Sequence, residues 1–317
     1  MALEKNNIYI NNQSIIVIII SYNKIDSVIK AIRSIIDYYN MHHFIIIDNS
    51  ENSYFFENLK MNLNKIKALT LIKNPQNYGF AKAVNQGIEI AMKDNNCKYI
   101  LLLNDDAYVD KNCIPKLIDA LESNDKALIA GPTIYYEKYP NKVWSAGGYF
   151  DRLFSRIRIP LKNKEISIGD LKKFPILEVD FLTGCVLMIK REAIEKVGFF
   201  DETFFFYSED LDYSFRVKKA GYKCLWVPSS IAWHDIEMSA RFSSPFAMYN
   251  LAKSGIIVRK KHFTGLLKLW NVLIFISLHT LNKFLSFILG KSNFSAIKAW
   301  VKGIADGLKY KIQQSKK

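Results

Sequence analysis

The segment LLLNDDAYVD at Leu101–Asp110 sets a run of large apolar residues directly against a cluster of carboxylates. A buried strand that ends in acids can hold a divalent cation and a phosphate at a sheet edge. Further along, FFDETFFFYSEDLD at Phe199–Asp212 repeats the arrangement, now with the acids opening a helix where one could act as a base. Two acidic clusters with different tasks predict metal-assisted group transfer rather than simple binding.

Strand and helix signals alternate around the first cluster. Apolar or β-branched runs at Ser14–Ile20, Phe44–Ile47, Leu69–Ile72, Tyr99–Leu103 and Ala127–Ala130 predict strands, the last stopping at Gly131-Pro132. Between them, Ser27–Tyr39, Phe80–Met92 and Cys113–Glu122 carry helical periodicity. The order predicts an α/β fold with a mainly parallel, doubly wound sheet, whose ligands sit at the carboxyl ends of the strands. Tyr22, Asp48, Asn74, Asp105 and Asp106 all follow strand ends and should share one edge. No GxGxxG and no GxxxxGK[ST] occurs, so a nucleotide would be held by side chains and a metal rather than by a glycine-rich phosphate loop.

Composition narrows the setting. At 317 residues, with 50% hydrophobic and 14% aromatic residues, the chain can bury a large core and is not disordered. Four dispersed cysteines, Cys97, Cys113, Cys185 and Cys224, form no CxxC pair, which excludes a zinc-finger or disulfide scaffold and fits a reducing compartment. No basic, apolar, small-residue pattern opens the chain, so a cleaved secretory signal is not expected.

The net charge of +14 is concentrated at one end: Arg241–Lys317 holds fourteen Lys and Arg against a single acid, Asp306. The preceding part is almost neutral. Within the tail, Phe263–Leu289 is rich in Leu, Ile, Phe and Trp but is interrupted by Lys268, Asn271, His279, Asn282 and Lys283. Its longest charge-free run, Leu269–Asn282, is short for a bilayer span. Arg259, Lys260, Lys261, Lys291 and Lys298 flank it and suit anionic headgroups. Amphipathic helices on an anionic membrane surface fit this pattern, and so does a helical subdomain packed on the core or a second subunit. No nucleic-acid-binding motif accompanies the basic charge.

Several motifs in unbroken order over residues 14–235 resemble the family 2 inverting glycosyltransferases. They are IIISYN at Ile18–Asn23, FIIIDNS at Phe44–Ser50, NPQNYGFAKAVNQGI at Asn74–Ile88 and LLLNDDAYV at Leu101–Val109. WSAGGYFD at Trp144–Asp151, the stretch Val179–Tyr222 and VPSSIAWH at Val227–His234 continue the match, which is most similar to the rhamnosyltransferase branch. The resemblance implies a GT-A fold over residues 1–235, with a nucleotide-binding half near 14–130 and an acceptor half near 131–235. Residues 236–317 remain as the basic helical tail.

The same resemblance assigns roles. The metal-binding acidic motif falls on Asn104, Asp105 and Asp106, with Asp106 as the metal ligand and His234 completing the site; hard oxygens and an imidazole suit Mg²⁺ or Mn²⁺. Asp105 is equally compatible with a solvated turn acid, and His234 with a satisfied structural residue. Asp48 matches the acid that recognises the base, with Tyr22 and Asn23 on the same rim. Gly79 allows close approach to the donor or simply forms a tight turn. Lys82, Asn85 and Gly184 are implied as further nucleotide-sugar contacts. Asp210 is the implied general base, with Glu209 orienting the acceptor. The bland reading of Glu209, Asp210 and Asp212 is a helix start capped by Ser208 whose acids complement the dipole.

The sequence therefore predicts an inverting, metal-dependent transferase that moves a sugar, rhamnosyl by branch resemblance, from a nucleotide-diphosphate donor to a polysaccharide or lipid-linked glycan. The expected location is cytoplasmic, peripheral on the inner membrane face. A galactofuranosyl or hexosaminyl donor, or a catalytically inactive glycan- or nucleotide-binding subunit, are the competing readings.

Overall fold

The computed structural model describes residues 14–39, 43–236, 244–290 and 292–312. The chain begins β1 (Ser14–Ser21), α1 (Ile25–Ile36), β2 (His43–Asp48), α2 (Ser53–Leu63), β3 (Leu69–Lys73), α3 (Phe80–Lys93), β4 (Cys97–Asn104) and β5 (Ala107–Val109). It continues with α4 (Cys113–Glu122), β6 (Ala127–Tyr136), β7 (Val143–Ser145), β8 (Tyr149–Asp151), β9 (Arg156–Arg158), α5 (Ile168–Leu171), β10 (Leu177–Val179) and β11 (Val186–Lys190). Then come α6 (Arg191–Val197), α7 (Glu209–Lys219), β12 (Lys223–His234), α8 (Pro245–His262), α9 (Gly265–Ile288) and α10 (Phe294–Lys309).

The main sheet runs β10-β12-β6-β11-β4-β1-β2-β3, with β5 on β12 and β7 on β6. Strands β4, β1, β2 and β3 are mutually parallel, as the alternation predicts; β11 enters antiparallel between β4 and β6 and makes the sheet mixed. Alternation along β1 explains the three layers. Ile15, Val17 and Ile19 join the cluster under α1 and α4, whereas Ile16 and Ile18 join the cluster under α3, α6 and α7. A strand buried on both faces reads as a continuous apolar run, here SIIVIIIS. On α1, Val28, Ala31, Ile32 and Ile35 form the buried stripe.

One strand boundary differs from expectation. β6 does not stop at Gly131-Pro132 but continues to Tyr136. Its pairing with β11 ends at Ala130 and its pairing with β7 begins only at Ile134. Pro132 falls in the gap, where its missing N–H interrupts neither ladder.

The C-terminal helices pack onto this body. α8 starts with Ser244 accepting from the Ala247 N–H at 3.2 Å and Pro245 in the first turn. Ile257 and Val258 on α8 bury Phe204 and Leu211 beside α7. α10 lies close against α8 because Gly303 has no side chain: a Cβ there would stand 2.3 Å from the Tyr249 carbonyl oxygen. Lys260 then reaches the carbonyls of Gly307, Leu308 and Tyr310 at 3.2, 2.6 and 2.5 Å, serving the carboxyl end of α10. Helix α9 is 24 residues long and, by length and composition, apolar enough to cross a membrane, with 17% of its apolar window buried. The whole helix is thus longer than the charge-free run suggests, since Lys268 and Lys283 lie inside it. Lys291 lies outside the described residues.

Candidate active site

Parallel pairing aligns Ser21 with Asp48, Asp48 with Lys73, and Ile20 with Asn104, so the expected residues gather at one sheet edge. There the Tyr22 N–H donates to Asp105 Oδ2 at 3.0 Å, tying the end of β1 to the turn after β4. The Asn23 backbone is left-handed, with φ of 56°, and its N–H donates to Ser50 Oγ at 2.8 Å. Asp48 is fully buried, accepts from the N–H and Oγ of Ser50 at 3.0 and 2.5 Å, and pairs with Lys73 at 3.1 Å.

Two cavities open at this edge. The first, about 430 Å³, is lined by Tyr22, Gly79, Asn104, Asp105 and Asp106. The second, about 510 Å³, is lined by Gly184, Glu209, Asp210 and His234. Phe80, Asn104, Phe206 and Tyr207 line both and mark where they meet. Asn23, Asp48, Lys82 and Asn85 line neither. Lys82 sits over the Tyr78 ring at 4.5 Å. Asn85 points inward from α3, where it exchanges 2.9 Å hydrogen bonds with both backbone groups of Phe200 and holds that loop.

Gly79 is structurally required. Its φ is +79°, and a Cβ would stand 2.3 Å from the Phe205 carbonyl oxygen, which also accepts from the Phe80 N–H at 2.9 Å. This contact fastens the start of α3 to the Phe205–Tyr207 stretch, of which Phe206 and Tyr207 line both cavities.

The junction carries an acid–imidazole pair. Asp106 Oδ1 lies 2.8 Å from His234 Nε2, and Asp106 Oδ2 accepts from Lys24 Nζ at 2.7 Å. Strand pairing makes the first contact: His234, last residue of β12, is opposite Ala107 of β5. The Trp144 ring meets the His234 ring edge to face at 4.5 Å. His234 Nδ1 has no hydrogen-bond partner among the described residues.

A divalent cation would find here one hard oxygen ligand and one imidazole, which suits Mg²⁺ or Mn²⁺ when donor phosphates and water complete the shell. The Lys24 ammonium occupies the other oxygen of this carboxylate, Oδ2, so the carboxylate already faces a positive charge. Among the described residues no cluster of three His, Cys, Asp or Glu surrounds a single point.

In the second cavity, Asp210 is held by the Gly184 N–H at 3.1 Å and the Leu211 N–H at 2.8 Å. Burial pushes its pKa up to about 6, with backbone donors and the Thr183 hydroxyl pulling the other way. Gly184 is therefore a neighbour of Asp210 on this side rather than of the first cavity. Burial, and then the charge of Asp210, raise Glu209 well above the usual carboxylate range, and its Oε2 has no partner among the described residues. The two neighbouring carboxyls are thus both shifted upward by burial, Glu209 also by the charge of Asp210 beside it.

Two expectations about α7 are corrected. Ser208 occupies the N-cap position but is left-handed, as is Tyr207, and makes no side-chain cap bond. Two successive left-handed residues are not the extended N-cap geometry from which a serine caps a helix, and they lie at the cavity wall. Asp212 does more than complement the dipole. It is fully buried and pairs with Arg216 at 2.8 Å, Lys261 at 2.8 Å and His262 at 2.7 Å. Burial works to raise its pKa, but these three partners hold it well below the usual range.

Lys24, Trp144 and Thr183 are site residues that sequence reasoning did not single out. Lys24 follows directly on the SYN stretch after β1, and Trp144 and Thr183 lie inside the quoted WSAGG and FLTGC stretches, so their signal was adjacency to recognised residues.

The family described as glycosyl transferase family 2 matches residues 16–198. The low-salt glycan biosynthesis hexosyltransferase Agl10 of Haloferax volcanii is 25% identical over 240 residues, 74% of this chain and 71% of that one. An N-acetylglucosaminyl-diphospho-decaprenol L-rhamnosyltransferase of Mycobacterium tuberculosis is 43% identical over 56 residues, 18% of either chain. Among solved structures, GalNAc-T7 with UDP, GalNAc and Mn²⁺ superposes with a TM-score of 0.61 at 19% identity, over 78% of this chain; the match spans 48% of that protein. The mannosyltransferase PcManGT of Pyrobaculum calidifontis, in complex with GDP-Man and Mn²⁺, gives 0.55 at 11% identity, over 93% of this chain and 87% of that one.

Proposed function

The chain belongs to glycosyl transferase family 2 and has the GT-A fold, and within that family we propose an inverting, metal-dependent enzyme that glycosylates a polysaccharide or lipid-linked glycan. The observation that carries the reading is the meeting of two cavities at Phe80, Asn104, Phe206 and Tyr207, with Asp106 on one side and Asp210 on the other. The first cavity takes the nucleotide-diphosphate sugar and the second takes the acceptor.

Asp106 and His234 would hold the cation, which, when bound, neutralises the departing diphosphate. Lys24, on the same carboxylate, adds a positive charge at the donor side. Asp105 fixes the backbone at Tyr22, and Tyr22 forms the rim. On the acceptor side, Asp210 takes the proton of the attacking hydroxyl. Its raised pKa leaves it ionised at pH 7 yet basic enough to accept that proton. Glu209, whose Oε2 has no partner among the described residues, orients the acceptor. One base and no carboxylate nucleophile give a single displacement with inversion.

A rhamnosyl donor is favoured by the match to the rhamnosyltransferase; the hexosyltransferase match supports a hexosyl donor as the alternative. Residues 1–235 are assigned as the catalytic unit and 236–317 as its basic tail. The tail is read as lying on the inner face of the cytoplasmic membrane. Near its start α9 is tied to the body through the Trp270 indole on the Leu153 carbonyl at 3.0 Å and the Ser155 hydroxyl on the Asn271 carbonyl at 2.9 Å. Leu266, Leu273, Leu281 and Ile288 share one face of the helix and are exposed, which supports a helix lying in the interface rather than crossing it. The test is donor hydrolysis and transfer across a panel of nucleotide sugars with Mg²⁺ or Mn²⁺. Absence of turnover with every donor would overturn the reading.

A further inference from the structure

His279 of α9 lines the same cavity as Glu209 and Asp210, although it lies well outside the catalytic unit assigned above. Packing places it there. Phe275, one helical turn earlier, is buried among Met248, Ala252 and Ile256 of α8, and its ring centre lies 4.6 Å from that of His279. The Phe275 ring sits on Gly255, where a Cβ would stand 2.3 Å from it, and the Arg259 guanidinium lies 3.9 Å from its centre. On the α10 side the Trp300 ring stacks near His279 at 6.4 Å, and its indole N–H donates to Thr280 Oγ1 at 3.0 Å. The helical turn that carries His279 is thus held from α8 and from α10.

The imidazole itself is only packed. Among the described residues it makes ring contacts with Phe275 and Trp300 and no hydrogen bond. Polar groups taken out of water are normally hydrogen-bonded, so a half-buried imidazole that meets only aromatic rings and a cavity calls for an explanation. A histidine serving the core alone would have a protein partner, as His262 has in Asp212 at 2.7 Å.

Its charge state narrows what it can meet. Burial, and then the charges of Arg259, Lys283 and Arg156, push the His279 pKa down to about 4. At neutral pH the ring is therefore uncharged, with one N–H donor and one bare nitrogen. It offers nothing to an anion, but it matches a hydroxyl, which also donates and accepts. Ile157, Phe181 and Leu251 give the same cavity apolar walls on which the face of a sugar ring can rest.

We propose that His279 is a further acceptor-binding residue, whose imidazole hydrogen-bonds a hydroxyl of the acceptor sugar and so helps to set which sugar fits beside Glu209 and Asp210. The assignment rests on reading this cavity as the acceptor side. It extends the acceptor site past residue 235 into α9, so the C-terminal helices complete the active site as well as carrying the exposed apolar face.

The test observes the imidazole directly, in nitrogen-15 spectra of the full chain labelled at its five histidines. The His279 signals are identified by their loss in His279→Phe. The probes are the methyl glycosides of rhamnose, glucose, galactose and N-acetylglucosamine, with glycerol as the comparison polyol. At least one glycoside should move the His279 signals, and glycerol should not. His279→Phe, which keeps an aromatic ring and loses both polar atoms, should weaken binding of that glycoside about tenfold, the loss typical of one hydrogen bond. His279→Gln, which keeps a donor and an acceptor, should retain most of the affinity. His279 signals that stay still with every glycoside, equal movement with glycerol, or unchanged affinity in His279→Phe would each overturn the proposal. Donor hydrolysis measured on the wild-type chain separates the two readings. Hydrolysis of a nucleotide sugar with the His279 signals unmoved keeps the transferase and refutes this residue, whereas glycoside binding at His279 without hydrolysis of any donor refutes the transferase and keeps a sugar site.

Discussion

Asp106 and His234 stand 128 residues apart in the chain, yet the Asp106 carboxylate and the His234 imidazole meet at 2.8 Å. The short strand β5 brings this about, because it follows Asp106 immediately and pairs with the last residues of β12. The two cavities are joined at this contact, since Asp106 lines one and His234 the other.

Asp106→Ala should abolish most turnover while the fold survives, because the diphosphate loses its principal cation ligand. His234→Ala should raise the Mn²⁺ concentration that gives half-maximal activity. Calorimetric Mn²⁺ binding in the presence of nucleotide provides a second readout. Near-native turnover in Asp106→Ala at saturating donor, or an unmoved metal dependence in His234→Ala, would refute the metal assignment.

The rate should follow the ionisation of Asp210. With its pKa raised to about 6, kcat/KM should fall tenfold per pH unit below that value and level off above it. Thr183→Val removes a hydrogen bond to the charged form, so the apparent pKa should move up. Stability has the opposite sign. The folded chain keeps a proton on Asp210 that the unfolded chain releases near its ordinary 3.8, so this group's contribution is present below that pH and is lost as pH rises through about 6. A flat profile between pH 5 and 8 would exclude Asp210 as the titrating base.

Anionic vesicles should carry the protein down on sedimentation, less so at high salt, through the basic tail and α9. Replacing Leu266 and Ile288, 86% and 63% exposed, by Ser should weaken this without lowering the melting temperature. Protein that stays in the supernatant with vesicles rich in phosphatidylglycerol would leave α9 as a surface for protein contacts.

Much of this was legible in the sequence because local patterns encode it. SIIVIIIS reads as a doubly buried strand from composition alone, and the acids after β4 lie next to it in the chain. Asp210 and His234 were reachable through motif resemblance. Contacts closed by topology were not legible. Nothing local in LDYSF shows that Asp212 faces Lys261 and His262, and nothing near Asn85 shows that it clasps Phe200 instead of lining a cavity. The continuation of β6 through Pro132 depends on neighbours that leave that N–H unneeded, which only strand order reveals. Lys24 was hidden because a surface lysine after a strand carries no signal until Asp106 is brought beside it.

The sharpest comparison is between two acids on the same helical turn. Asp210→Asn keeps the shape of the side chain and its Gly184 contact region but cannot take a proton. Transfer should fall by about 10²–10⁴-fold, while nucleotide-sugar binding and melting temperature stay close to wild type, since the proposed donor site is the other cavity. Asp212→Asn removes the same charge from a buried hub shared by Arg216, Lys261 and His262. Breaking such a network typically costs about 3–5 kcal/mol, so this variant should lose stability to denaturant and loosen α8 from α7. Transfer per folded molecule should fall much less than in Asp210→Asn. Measured together, denaturant midpoint and turnover separate the two roles. If Asp212→Asn is as stable as wild type, the hub does not anchor the tail. If Asp210→Asn unfolds as readily as Asp212→Asn, or weakens donor binding, the acids act as one structural unit and the single-base mechanism fails.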